Sequence, residues 1–137
     1  MSLRSLPLIV LALIFYNVVV VLGGGAPADD ILSRKLFTIP LVGRGVSVNW
    51  GDLIILVTLL LLFIEVIKST YTSSASMVDH ALSMIVFIIC LVEFLLVPSA
   101  ATGVFLNVTL ATLIDVIAGY TIGIRVARRD LSIGSGQ

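Results

Sequence analysis

A chain of 137 residues that is 59% hydrophobic and only 12% charged has too little polar surface to coat a soluble core of its size. Composition therefore excludes a soluble enzyme and points to an integral membrane protein. Eight basic residues cancel eight acidic ones, and no basic patch with interleaved aromatics argues for nucleic acid as a partner.

In chain order, the first apolar stretch runs from about Leu6 to Leu22. A helix needs about 20 apolar residues to cross about 30 Å of hydrocarbon, and this stretch nearly suffices. "MSLR" ahead of it and "GGGAPADD" behind it also fit a cleaved secretory signal, with Ala26 and Ala28 as the small-x-small pair. The length of the apolar run and Pro27 between the two alanines favour a retained helix. Asn17 within it is a candidate interhelical hydrogen-bonding group or a tolerated polar residue.

Residues 29–49 follow, too long for a simple turn and too apolar for a flexible linker. Phe37, Ile39 and Leu41 alternate with Thr38 and Pro40, "VGRGV" supplies turn glycines, and Val46 and Val48 alternate with Ser47 and Asn49. That pattern predicts a short extracytoplasmic β-hairpin, with Pro40 at an unpaired position because it lacks an N–H. Trp50 stands where an interfacial aromatic anchor belongs.

Three further spans are expected at about 50–67, 77–97 and 102–124, followed by a tail, 125–137, whose Gly- and Ser-rich part "RRDLSIGSGQ" is expected to fray. The expected fold is thus an all-α membrane protein, a single domain over 1–137: a four-transmembrane-helix bundle with the hairpin between helices 1 and 2. With both termini cytoplasmic, Arg4, Lys68, Arg125, Arg128 and Arg129 lie inside, against Arg34, Lys35 and Arg44 outside, which satisfies the positive-inside rule. The cluster Arg125, Arg128 and Arg129 reads as a topology determinant that also attracts anionic lipid. A bacterial inner membrane is the expected location.

Ionisable groups inside spans are costly, so their placement is informative. Folding the sequence about a loop near Thr72 sets Glu65 level with His80 and Asp52 level with Glu93. Folding about Ser99 sets Asp115 near Ser83 and His80 near Ala118. Two polar layers are expected. One contains Glu65, Lys68, Asp79, His80 and Asp115, joined in outline by Tyr120 and Arg125; the other contains Asp52 and Glu93, with Asn49 beside them and Asn107 a little deeper. Asp79 and Glu93 share a helix face through Ser83, Val86 and Cys90. On the last span Gly103, Asn107, Ala111, Asp115, Gly119 and Gly123 recur at every fourth position, a ridge of small and polar residues suited to close helix packing.

These carboxylates admit two readings: pairs that fix helix register, or a proton or ion pathway. His80 admits a hydrogen-bonded structural role, a titrating relay or an axial metal or haem ligand, but one histidine cannot supply a bis-histidine haem site. Cys90 is the only cysteine, so no intramolecular disulfide and no multi-cysteine zinc site can form, and it reads as a small packing residue. There is no phosphate-binding loop, dinucleotide fingerprint, nucleophile elbow or HExxH helix, so no catalytic residue, metal or cofactor is assigned.

"LLFIEVIKST", "DHALSM", "CLVEFLLV" and "LIDVIAGYTIGIRVARRD" together resemble a group of uncharacterised small four-span bacterial inner-membrane proteins. The resemblance covers the last three spans and implies a four-helix fold without transferring an activity. Small multidrug-type exporters also have four short spans, but they rely on a carboxylate in the first helix, and "LPLIVLALIFYNVVVVL" has none. The expected function is a non-catalytic accessory or assembly subunit of a membrane complex, or a homo-oligomer, with lipids and other membrane-protein subunits or itself as partners. The alternatives are a small proton-coupled transporter or channel and an electron-transfer membrane anchor.

Overall fold

The computed structural model describes residues 6–71 and 76–136, and of Ser76 and Met77 only the backbone. The loop expected near Thr72 lies outside the described residues. The chain forms α1 (Val10–Leu22), α2 (Ala28–Leu32), β1 (Lys35–Leu41), β2 (Arg44–Asn49), α3 (Trp50–Ser69), α4 (Ser76–Leu96), a 3₁₀ turn at Pro98–Ala100, and α5 (Gly103–Gly134). Among the described residues three helices are long and apolar enough to cross a membrane: α3, Val78–Leu96 of α4, and α5.

Helix α1 is shorter than the expected 6–22 span, at 13 residues, or about 20 Å at 1.5 Å per residue. The cause lies at Pro7: the N–H groups of Val10, Leu11 and Ala12 reach back three residues to Pro7, Leu8 and Ile9. The chain therefore enters α1 through a tight turn instead of regular helix. Beyond α1, Ala28–Leu32 is a short helix, an element not expected in the segment read as the hairpin loop 29–49. Its Ile31 and Leu32 are buried, and Ile31 occupies the space that a side chain at Gly23 would need.

The predicted hairpin is present as an antiparallel pair in which Phe37 faces Val48, Ile39 faces Val46 and Leu41 faces Arg44. Val42 and Gly43 form its turn, and Gly43 takes φ +81°, the left-handed conformation that glycine adopts at little cost. Asn49 then opens α3 with a capping box. Its side chain accepts the Asp52 N–H at 2.8 Å, and the Asp52 carboxylate accepts the Asn49 N–H at 3.0 Å.

The packing order differs from the chain order. Helix α5 lies along both α3 and α4, α1 packs on α3, and direct packing between α3 and α4 is slight. Folding the sequence about Thr72 assumes instead that α3 and α4 are packed neighbours, and the structure corrects that assumption. The last helix carries the buried groups Phe105, Val108, Thr109, Ala111, Thr112, Asp115, Val116 and Gly119, and so it has two faces to bury where its neighbours have one. A second correction concerns the tail. Helix α5 continues to Gly134, ten residues past the expected end, because "RVARRDL" is rich in helix-forming Arg, Ala and Leu. Its 32 residues span about 48 Å, more than the hydrocarbon thickness.

At the opposite end from the α3 C-terminus, Tyr16 of α1 fastens the bundle. Fully buried, it donates to the Ser99 carbonyl at 2.8 Å and meets Thr102 Oγ1 at 2.7 Å. Thr102 itself caps α5 by accepting the Phe105 N–H at 3.1 Å. The Tyr16 ring packs edge-on against Phe105, centroids 4.7 Å apart.

Candidate functional site

The described chain gathers ionisable groups in one place, where the C-terminal end of α3, the first turns of α4 and the middle of α5 converge. A cavity of about 20 Å³ there is lined by Glu65, Lys68 and Ser69 of α3, Asp79, His80 and Ser83 of α4, and Asp115 and Gly119 of α5. A site of this volume holds about one water molecule.

Glu65, 6% exposed, is engaged on two sides. It accepts the Leu8 N–H, one of the donors ahead of α1 that has no helical partner, and it pairs with Lys68 at 3.3 Å. Lys68 also donates to the Leu6 carbonyl at 3.1 Å. The two side chains therefore anchor the entry of the chain into α1.

Asp115 is 5% exposed. One carboxylate oxygen hydrogen bonds the Ser83 hydroxyl across the α4–α5 interface, and Glu65 and Lys68 both act on it through space. Its Oδ2 is buried and has no partner among the described residues; the same is true of Asp79 Oδ1 and His80 Nε2. An unsatisfied buried carboxylate oxygen costs on the order of 1–3 kcal/mol, so the arrangement needs a compensating contact.

The imidazole of His80 lies on the glycine surface of α5. A Cβ built at Gly119 would stand 2.7 Å from His80 Nδ1, and one at Gly123 would stand 2.9 Å from Nε2. Only glycine at these two positions lets the ring sit flush with the helix. Tyr120 stacks obliquely on the ring at a centroid separation of 5.2 Å. His80 Nε2 is buried on the Gly123 side of the ring.

The second expected layer is not assembled as a cluster. Asp52 is exposed and serves the capping box at Asn49, while Glu93 is partly buried on α4 and acts electrostatically on Tyr16 and Cys90. Helix α5 packs along both α3 and α4, the helices that carry these two carboxylates. Asn107 is exposed and donates to the Gly103 carbonyl of its own helix at 2.8 Å.

The every-fourth-residue ridge accordingly divides. Ala111, Asp115 and Gly119 are buried and Gly123 is partly so, whereas Gly103 is exposed with nothing within 4 Å of a built Cβ. At 3.6 residues per turn a spacing of four drifts around the helix, carrying the ridge from the outside at Gly103 to the interface at Asp115. Arg125, Arg128 and Arg129 are exposed on the terminal turns of α5.

Sequence reasoning did not single out Tyr16, Thr102 or the Cys90–Thr112 hydrogen bond between α4 and α5. The available signal was a tyrosine inside an apolar helix, whose hydroxyl requires a partner once buried. Between Ser83 and Glu93 the inward residues of α4 are Val86 and Cys90, 6% and 0% exposed. They belong to one buried apolar cluster with Val108 and Ala111 of α5, and the buried hydroxyls of Thr109 and Thr112 lie on the same stretch of α5.

No family model matches the chain, and comparison with curated proteins and with solved structures finds no match either.

Proposed function

We propose that this protein is a non-catalytic subunit that assembles in the bacterial inner membrane, with another membrane protein or with further copies of itself. In this reading α1 and its entry turn make a fourth crossing, both termini are cytoplasmic and the hairpin projects on the outer side. The observation that carries it is the hairpin's apolar face. Phe37, Ile39, Leu41 and Val46 stand on one side of the two-stranded sheet and are each 42–50% exposed. An isolated two-stranded hairpin is marginal in water, and a free apolar face on one marks an association surface.

The test is native mass spectrometry and crosslinking of the protein taken from its own membrane in mild detergent. Expected are discrete oligomers or a copurifying membrane protein, lost in Phe37→Ser/Ile39→Ser. A strictly monomeric particle with no copurifying protein overturns the reading.

The buried carboxylates favour a second reading, a small proton-coupled transporter or channel. Ionisable side chains inside spans commonly line such routes. Against it stands the buried apolar cluster that Val86, Cys90, Val108 and Ala111 contribute to along this stretch of α4 and α5. Proton flux in liposomes that falls in both Asp115→Asn and Glu93→Gln would favour transport over the subunit reading.

A further inference from the structure

We propose that the cavity beneath Asp115 is a built site for one oxygen ligand of water size, which donates to Asp115 Oδ2 and bridges it to the His80 ring. The site joins α3, α4 and α5 through a ligand in addition to the direct Asp115–Ser83 hydrogen bond. It is independent of the subunit and transporter readings, since either could use it.

Three observations converge. The cavity volume, about 20 Å³, exceeds the minimum for one water and falls short of any organic molecule. Asp115 is 95% buried, its Oδ2 is without a partner among the described residues, and the residue lines a space where a donor fits. The walls are polar on every helix that reaches the cavity: Glu65 on α3, His80 and Ser83 on α4, Asp115 on α5. A buried water makes two to four hydrogen bonds to such groups and is costly to remove, whereas empty cavities in proteins are lined by apolar side chains.

The glycines of α5 shape the same site. Nδ1 of His80 rests over Gly119, which itself borders the cavity, so the ring is held with one nitrogen at the cavity's edge. Any side chain at Gly119 would enter the ring's place and push it across the opening.

The chain has one histidine, which makes the site separately observable. Full-length protein carrying ring-¹⁵N histidine, reconstituted in lipid nanodiscs, gives histidine resonances from His80 alone in solid-state NMR. The expected result is magnetisation transfer from a slowly exchanging water to the ring in the wild type and in Asp115→Asn, and loss of that transfer in Asp115→Leu. Ser83→Val fills the cavity from the other helix and is expected to abolish the transfer as well, so the test does not depend on one variant folding. Transfer to the ring only from lipid and protein protons in the wild type would overturn the proposal, as would transfer that persists in both Asp115→Leu and Ser83→Val. Ring shifts that change when sodium replaces potassium would also overturn it, by assigning the space to an inorganic cation.

Discussion

The imidazole of His80 on α4 occupies the space that a side chain at Gly119 of α5 would fill, with Nδ1 2.7 Å from where its Cβ would stand. Real Cβ atoms do not approach ring atoms this closely, and Cε1 on the same edge of the ring would stand at 2.9 Å. Gly119→Ala is expected to force α4 and α5 apart and destabilise the protein by about 1–3 kcal/mol, the usual range for overpacking. Gly103→Ala, at an exposed position with open space around it, is expected to change stability by no more than about 0.5 kcal/mol. Unfolding in mixed detergent, followed by circular dichroism, compares the two.

Removing the Tyr16 hydroxyl isolates the fastening at the opposite end of the bundle. Tyr16→Phe keeps the ring against Phe105 but leaves the Ser99 carbonyl and the Thr102 hydroxyl without the partner they have at 2.8 and 2.7 Å. The expected cost is about 1–2 kcal/mol. Tyr16→Ala also removes the buried ring and is expected to cost about 3–5 kcal/mol. A Tyr16→Phe variant with wild-type stability in the same unfolding assay would mean that the hydroxyl contributes nothing to holding α1.

How much of this was legible in the sequence depends on connection length. Val97 to Thr102 is too short to permit slippage, so folding about Ser99 set Asp115 near Ser83, where the structure has it, and set His80 near Ala118, whereas the ring lies against Gly119 and Gly123. The hairpin was legible because its apolar and polar residues alternate and its glycines mark a turn. The slight packing of α3 on α4 was not legible. Apolar periodicity shows that a helix has a face to bury, but not which of two similar helices receives it. The helical tail was hidden for another reason, since Gly and Ser near the end outweighed the helix-forming residues preceding them.

Glu65 and Lys68 form a pair whose members are unequally placed, with side chains 7% and 26% exposed. Truncating the buried member leaves the Leu8 N–H without its acceptor, whereas truncating the lysine leaves a carboxylate that still accepts that bond. Glu65→Ala is therefore expected to cost about 1–3 kcal/mol, and Lys68→Met within about 1 kcal/mol, as for a partly exposed ion pair. Equal costs for the two would mean that the ion pair, and not the anchoring of Leu8, accounts for the role of Glu65.

The passage from hairpin to membrane helix rests on a reciprocal contact. Asn49 and Asp52 each satisfy the other's backbone N–H, and the next residue, Trp50, donates to the Arg34 carbonyl at the base of the hairpin at 3.3 Å. Asn49→Ala removes the side chain that accepts the Asp52 N–H, and is expected to cost about 1 kcal/mol, while Asn49→Asp retains an acceptor and is expected to be nearly neutral. Because each half of the box holds the geometry of the other, the double variant Asn49→Ala/Asp52→Ala is expected to cost less than the sum of the single ones. Hydrogen exchange at Asp52 and the residues beside it reads the effect locally. Faster exchange confined to the first turn of α3 is the expected pattern, and unchanged exchange there in the double variant would show that the helix start is held by packing of Gly51 against Val104 and not by its cap.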